Sequence, residues 1–252
     1  MSDDISPILE SWPYEPGEVT ARKITGLDGR PRLQMRLDLG LLQMEVRGRP
    51  DGQRPFGAES LLVYHQERLT RYKREHGTDA GFSLTADECS ELRDESTQFY
   101  HRYLGLYQLE DFEGVVGDTD RNLEVLDFMR AYAAEEDDRV QMEQFRPYIL
   151  MMNGRAKAAL ALKNEDFETA LAEVRQGMQR IEGFLVEVGR PELAKKSAEI
   201  ASLRRLEREI LQRRPTDPVE QLRQELKAAI AAEEYERAAT LRDELRRLET
   251  KR

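Results

Sequence analysis

The sequence predicts a mainly α protein with a small N-terminal antiparallel β-meander, an antiparallel helical array and a C-terminal helical hairpin. Three observations predict this architecture. Apolar and polar residues alternate, as in strands, only between residues 19 and 48. From residue 58 onward the apolar period is helical and is interrupted by capping and breaking residues. A proline break at Pro215 then separates a last helical segment. We therefore divide the chain into an arm with a sheet packed on the helices (1–57), the array (58–214) and the hairpin (215–252).

Composition and charge narrow the possible functions. The 252 residues include 39 Lys and Arg against 49 Asp and Glu, a net charge of −10. This acidic balance opposes binding to nucleic-acid phosphates or anionic lipid. No apolar run approaches the roughly 18 residues that cross a membrane, and residues 1–10 lack the basic start of a secretory signal. We expect a cytoplasmic protein with no membrane among its partners.

The predicted meander consists of strands at 19–25, 31–39 and 41–47. Leu33, Met35, Leu37 and Leu39 alternate with polar residues, which is typical of a strand with one covered face. Asp28-Gly29 is a hairpin signal, and Gly40 can turn the chain between the second and third strands. Three short strands cannot bury both faces alone, so we expect this sheet to lie on the helices that follow. The first 18 residues show no regular period and are predicted to be an irregular arm.

Capping residues place the helices of the array. Gly77 is predicted to end the first helix, Thr85 and Glu88 to form a capping box at the start of the second, and Pro147 to kink a helix or begin a new one. Gly189 and Pro215 are predicted to end the last two. The predicted helices span 59–76, 85–109, 111–134, 138–163, 167–188 and 192–214.

A short pattern of acidic residues around one aromatic residue recurs where helices meet. It occurs at Glu110–Glu113, Glu165–Ala170 and Glu233–Ala238, with Phe112, Phe167 and Tyr235 as the aromatic residues. The acids favour a helix start through the dipole, and the aromatic ring can pack the turn onto the preceding helix. The pattern resembles the turn chemistry of tetratricopeptide repeats, with Gly154, Ala158 and Ala170 near their close-packing positions, although the spacing is irregular.

The C-terminal segment has the apolar seams of a helical hairpin. Asp217, Pro218 and Glu220 supply an N-cap, a first-turn proline and an N3 acid, so a new helix is predicted there. Apolar residues then follow at helical spacing on either side of a turn at residues 231–234. These are Leu222, Leu226, Ala229 and Ile230 before the turn, and Ala238, Leu241, Leu245 and Leu248 after it.

Residues 217–249 closely resemble the UVR motif named for the bacterial excision-repair subunits UvrB and UvrC. An acidic-aromatic-acidic turn, paired alanines and Leu-Arg-Asp carry the match, at Tyr235, Ala238, Ala239, Leu241, Arg242 and Asp243. The resemblance implies a docking hairpin that pairs with a second UVR hairpin or with a partner of protein-degradation machines. The predicted partner-binding residues are Leu222, Leu226, Ile230, Tyr235, Ala238, Leu241, Arg242, Leu245 and Leu248.

Two helices of about 15 residues with a single apolar stripe do not form a stable core alone. The stripe should therefore be buried against a partner, against a second copy in a homodimer, or back against the array of the same chain. The segment Leu37–Glu45 also looks like uncharacterised bacterial proteins with a terminal UVR motif. The helicase motifs of UvrB and the nuclease pattern of UvrC do not appear.

The sequence motifs of the common enzyme, metal and cofactor sites are absent, so we predict no catalytic residue, no metal site and no cofactor. The sequence contains no phosphate loop, dinucleotide fingerprint, zinc-protease or serine-hydrolase motif. His65, His76 and His101 lack ligand spacing, and Cys89 lies among acids that raise a thiol pKa. Acids at Asp118, Asp120 and 135–138 are typical of solvated helix ends.

Two further patterns have more than one interpretation. The aromatic stripes Phe99-Tyr100-Tyr103-Tyr107 and Phe128-Met129-Tyr132 favour core packing, with an aromatic groove for a peptide as the alternative. Arginines at 204, 205, 208, 213 and 214 are interleaved with Glu207 and Glu209, which favours pairing along one helix over contact with nucleic acid.

The function expected from these observations is that of a non-catalytic adaptor or scaffold. Its hairpin would dock a partner or self-associate while the array presents a peptide-binding surface. The alternatives are a nucleic-acid-linked factor of repair or translation, which a basic patch would favour, and an enzyme with scattered carboxylates, which a deep pocket of perturbed acids would favour.

Overall fold

A computed structural model describes residues 4–215 and 218–249, without the side chains at 218–221, 223, 224 and 249. The chain forms two compact units, Met1–Arg208 and Glu209–Arg252. The predicted mainly α class with an N-terminal antiparallel sheet is confirmed. The strands are β1 (Ala21–Thr25), β2 (Pro31–Leu37) and β3 (Gly40–Glu45). The helices are α1 (Ser6–Ser11), α2 (Leu61–His76), α3 (Ala86–Gln108), α4 (Phe112–Tyr132), α5 (Glu136–Gln141), α6 (Arg146–Lys163), α7 (Phe167–Glu187), α8 (Ala198–Arg213), α9 (Pro218–Ala231) and α10 (Tyr235–Glu249).

The three strands form the predicted meander in the order β1-β2-β3, with both pairs antiparallel. The second turn differs from the prediction, because Leu37 pairs with Gly40 and the turn consists of Asp38 and Leu39. Leu39 was predicted to continue the apolar face of the strand, which is wrong: its side chain is 89% exposed. A two-residue turn places its residues at the tip of the hairpin, beyond the sheet.

The middle strand is covered on both faces. On one face Leu33 packs on α3 at Gly105, where a Cβ would lie 3.0 Å from Leu33 Cδ2. On the other face Gln34 and Arg36 are also buried. Arg36 Nε donates a 2.7 Å hydrogen bond to the carbonyl oxygen of Trp12, in the N-terminal arm. The sheet therefore lies on the helices as predicted, but the expectation of a single covered face was wrong at β2, because the arm covers the second face.

The arm is not wholly irregular, since α1 forms at Ser6–Ser11. Pro7 lies in the first turn, where its missing N–H costs nothing, and the Asp4 carboxylate accepts the Ser6 N–H at 2.9 Å. These local signals are helix-start signals, and the prediction of an irregular arm overlooked them.

The predicted helix ends in the array are mostly confirmed. Gly77 ends α2 with φ 73°, and Thr85 and Glu88 form the capping box of α3. Pro147 lies in the first turn of α6, so it begins a new helix after a 3-10 turn at Glu143–Phe145.

The continuous helix predicted at 192–214 is wrong. Residues Pro191–Lys195 form a 3-10 turn, and α8 begins only at Ala198. The Ser197 hydroxyl accepts the Ile200 N–H at 3.2 Å, which is the N-cap interaction that starts α8.

A buried ion pair connects the sheet end to the helices. Arg102 of α3 donates from Nε and Nη2 to the two carboxylate oxygens of Asp118 of α4, at 2.8 and 2.6 Å. Its Nη1 donates to the carbonyl oxygens of Glu45 and Gly48, where the chain leaves β3. Burial raises the pKa of Asp118, and the guanidinium of Arg102 opposes that rise.

Candidate partner-binding surfaces

The C-terminal unit contains a two-helix hairpin whose turn has a defined geometry. Glu233 adopts a left-handed conformation with φ 59°, and Glu234 N–H donates to the Ala229 carbonyl oxygen at 2.9 Å. The Glu234 carbonyl oxygen then accepts the Ala238 N–H and begins α10. The first hydrogen bond spans five residues, as in the Schellman arrangement that ends helices.

The same turn occurs twice more, between α3 and α4 and between α6 and α7. Glu110 and Glu165 have φ 55° and 57°, and the five-residue hydrogen bonds run from Asp111 to Leu106 and from Asp166 to Ala161. The Asp111 and Asp166 carboxylates cap the following helices by accepting the N–H groups of Gly114 and Thr169. The Phe112 ring packs edge to face on the Tyr107 ring of the preceding helix, with centroids 5.5 Å apart. The recurring acidic and aromatic pattern therefore encodes one turn geometry in three hairpins.

The interior of the C-terminal hairpin is small. Among its described side chains, the buried ones are Ala229 on α9 and Ala238 and Leu241 on α10, and half-buried Leu222 and Leu226 pack against them. Two facing alanines let the helices approach closely but bury little apolar area. Most of the large aliphatic side chains therefore remain in part accessible.

The predicted partner-binding residues lie at different depths in this hairpin. Leu241 and Ala238 are inside, and Leu245 and Leu248 are half-buried. Ile230 and Tyr235 are largely exposed, at 54% and 69%. Arg242 is exposed and pairs with its neighbour Asp243 at 3.1 Å. Periodicity did not separate Ile230 from Ala229, which faces the interior although it was left out of the predicted set.

The predicted start of the first hairpin helix includes an N-cap residue and a break before it. Asp217, the predicted N-cap, lies outside the described residues. The helix α9 itself begins at Pro218, in agreement with the predicted break before it.

A second surface is an open cleft in the helical array, with a volume of about 540 Å³. It is lined by residues of α3, α4, the segment before α6, the first turn of α6 and the start of α8, with several aromatic rings among them. The residues of the aromatic stripe on α3 differ in exposure: Phe99 and Tyr103 are buried, whereas Tyr100 is 37% exposed. The second stripe is core, as Phe128 and Met129 show.

The cysteine and several of the histidine and acidic side chains considered for chemistry are buried or have partners within the protein. Cys89 is fully buried, and burial raises the pKa of its thiol to about 11. Burial also lowers the pKa of His65 and of His101. In the described part of the chain, no three His, Cys, Asp or Glu side chains are grouped to hold a metal ion. Asp118 pairs with Arg102 and Asp120 accepts from Asn153, so these two acids have protein partners.

The pairing predicted along α8 is wrong for Arg204 and Glu207. Both reach across to α7: Glu207 Oε1 lies 2.7 Å from Arg175 Nε, and Arg204 Nη2 lies 3.6 Å from Glu182 Oε1. Helix packing brings opposite charges closer than the spacing along α8 does.

Comparison with known proteins identifies the hairpin. A family model described as the UvrB/uvrC motif, UVR, matches residues 216–251. Neither the curated proteins nor the solved structures include a match to this chain. Across residues 4–215 and 218–249, no helix has the length and apolar character needed to cross a membrane. The chain thus carries a UVR motif at its C-terminal end, in a hairpin of α9 and α10.

Proposed function

We propose that this protein is a non-catalytic adaptor that docks a partner, or a second copy of itself, through the UVR hairpin. One observation carries the proposal: among the hairpin side chains that the structure describes, only Ala229, Ala238 and Leu241 are buried in its interior. The match to the UVR motif over the same residues supports it, because this motif is known from interacting subunits.

The accessible side chains suit burial against a second hairpin. Leu222, Leu226, Leu245 and Leu248 are all half-buried. A large aliphatic side chain contributes roughly 1.5–3 kcal/mol when it is fully buried, so completing the burial of four leucines can hold two hairpins together. A two-fold arrangement of two hairpins is closed and self-complementary, and it produces a four-helix bundle. A homodimer through the hairpin is the form of the proposal that is simplest to test.

Leu226→Asp and Leu245→Asp are expected to abolish self-association, since each places a charge in the seam. Ala228→Asp is the matched control, because Ala228 is an exposed neighbour on α9 and receives the same charge. Light scattering should report a dimeric mass for the wild type and Ala228→Asp, and a monomeric mass for the two leucine variants. Circular dichroism should show unchanged helicity in all of them. A monomeric wild type at high protein concentration contradicts the homodimer.

Docking of a different protein is tested by affinity capture from the native cytoplasm. The full chain is compared with a truncation ending at Arg214 and with Leu226→Asp. Specific partners should be lost from both, and their retention by either folded variant contradicts a docking role for the hairpin.

Nucleic-acid binding is the second candidate, and only the occurrence of the motif in UvrB and UvrC favours it. The net charge of −10 opposes the counterion release that drives such binding. Fluorescence anisotropy with labelled single-stranded and double-stranded DNA and RNA should show no binding at physiological salt. A micromolar, salt-sensitive complex favours the nucleic-acid role over the adaptor.

A further inference from the structure

The cleft in the helical array has an aromatic lining on several sides. Tyr100 and Tyr103 of α3 are in edge-to-face contact, with ring centroids 5.4 Å apart. Tyr148 of α6 lies across from Tyr100 at 6.3 Å. Phe145 and Met142 continue the lining in the segment before α6. The volume of about 540 Å³ is within the range of sites that hold a small ligand or a few peptide side chains.

The three tyrosine hydroxyls of this cleft have unused hydrogen-bonding capacity. The hydroxyls of three tyrosines outside the cleft have protein partners: Tyr107 Oη accepts from Arg155, Tyr132 Oη donates to Asp79, and Tyr72 Oη donates to the Ala80 carbonyl oxygen. Within the part of the chain that the structure describes, the hydroxyls of Tyr100, Tyr103 and Tyr148 have no hydrogen-bond partner. Tyr103 is buried, with an exposed fraction of 1%. The accessible part of Tyr103 includes its hydroxyl, which borders the open cleft and can bond to a ligand with donors or acceptors.

The electrostatics of the cleft favour a cation. Glu199 is the charged residue in the lining, and among the described residues no lysine or arginine lines the cleft or forms an ion pair with it. Arg155 donates to Tyr107 Oη and Ser202 Oγ and does not line the cleft. Burial raises the pKa of Tyr148, although the charge of Arg155 opposes that rise, and the half-buried ring has a negative face that a cation can contact.

The wider charge distribution acts in the same direction. Residues 201–252 carry 13 Lys and Arg and 11 Asp and Glu, so the net charge of −10 leaves −12 on residues 1–200, which include the cleft. A field of this sign concentrates cationic ligands near the surface.

We propose that this cleft binds a basic peptide segment of a protein partner, with the stem of a lysine or arginine side chain lying against the rings of Tyr100 and Tyr148 and its charge facing Glu199. The tyrosine hydroxyls accept the donors of the bound cation. Phe145 in the lining is 49% exposed, which extends the apolar surface beyond the cleft. This extension fits apolar residues that flank the basic one in a peptide, and a lone small cation leaves it uncovered.

The test uses the full chain and the probe peptides acetyl-Leu-Arg-Leu-amide and acetyl-Leu-citrulline-Leu-amide, which differ in charge and share their shape. Titration is followed by the NMR signals of the tyrosine rings. The arginine peptide should shift the signals of the cleft tyrosines and bind at least about fivefold more tightly than the citrulline peptide, in the range of a partly desolvated cation–π contact. Equal binding of the two peptides, or no shift at millimolar concentrations, overturns the proposal.

Two variants locate the binding. Glu199→Gln removes the charge and Tyr148→Phe removes one hydroxyl. Both should weaken binding of the arginine peptide several-fold while the thermal unfolding midpoint of the protein stays unchanged. Glu192→Gln is the matched control, since Glu192 is an exposed acid outside the lining, and it should bind as the wild type does. If folded Glu199→Gln binds the arginine peptide as the wild type does, Glu199 is not the carboxylate that faces the bound cation.

Two further measurements separate this proposal from its alternatives. Butylammonium at equal concentration should bind more weakly than the peptide, and equal binding overturns a peptide as the occupant. Leu226→Asp in the hairpin should leave the affinity of the cleft unchanged, so failure of the adaptor proposal and failure of this one are distinguishable.

Discussion

Gly154 of α6 and Gly177 of α7 face each other where these two helices cross. A Cβ atom on Gly154 would lie 3.6 Å from Gly177 Cα, and one on Gly177 would lie 3.2 Å from Leu203 Cδ1 of α8. Ala158 and Ala170 near this crossing are fully buried. Of the small residues predicted at close-packing positions, Gly154 therefore lies at the contact of the two helices, and Ala158 and Ala170 are buried.

Gly177→Val is expected to destabilise the protein, because the branched side chain has no room between α6 and Leu203. Overpacking of this kind costs roughly 1–3 kcal/mol. Gly183→Val is the matched control on the same helix, since a Cβ at Gly183 meets nothing within 4 Å. Urea unfolding should give a lower midpoint for Gly177→Val alone. Equal midpoints for the two variants contradict the tight crossing.

Glu165→Gly is expected to stabilise the protein, because Glu165 adopts φ 57° in the turn between α6 and α7. A left-handed conformation costs a residue with a Cβ about 1–2 kcal/mol, and part of this gain is offset by the greater chain entropy of glycine. The net gain in the free energy of unfolding should be at most about 1 kcal/mol. Gln176→Gly, at an exposed position inside α7, should instead lose about 1 kcal/mol. Thermal melts that move in the same direction for both variants refute the role of the turn conformation.

Removing one partner of the buried pair of Arg102 and Asp118 should lower the free energy of unfolding more than replacing both partners together. Asp118→Leu leaves a buried guanidinium without its carboxylate and is expected to cost about 3–5 kcal/mol. Arg102→Met leaves the carboxylate unpaired and should also be strongly destabilising. The double variant should lose clearly less than the two single losses together, as measured by urea unfolding in a double-mutant cycle. Additive losses mean that the two side chains do not act as a pair.

Cys89 is expected to resist alkylation in the folded protein at pH 7–9, since it is fully buried and its thiol pKa is raised to about 11. In the unfolded chain the thiol ionises near its ordinary pKa of 9.0, while the folded protein still retains the proton. The free energy of unfolding should therefore decrease as the pH rises from about 9 toward 11. Cys89→Ala should show a smaller decrease over this range in urea unfolding. Rapid reaction of the native thiol with iodoacetamide at pH 8 contradicts the burial.

The sequence alone predicted those features that depend on residues a few positions apart. Gly77 ends a helix, Thr85 and Glu88 cap one, and Pro147 begins one, because each requires only its own backbone and its near neighbours. The recurring acidic and aromatic turn has the same origin. The UVR motif was recognisable for the same reason, since its turn, alanines and Leu-Arg-Asp are contiguous.

What a periodic pattern could not determine is which segment covers each side chain. Gln34 and Arg36 are polar and yet buried, because an arm from the start of the chain folds over β2. Ile230 and Ala229 are adjacent on α9, but only the alanine fits against α10.

The cleft is the clearest example of a feature that exists only in the folded chain. Tyr100 and Tyr103 belong to one aromatic stripe on α3, and their helical spacing was enough to predict that stripe. Because α3, α6 and the start of α8 surround one cleft in the folded chain, buried Tyr103 and partly exposed Tyr100 both line it. Glu199 enters the same cavity from a helix almost a hundred residues later in the chain. Such a site has no local signature, because its members meet only when distant helices have packed.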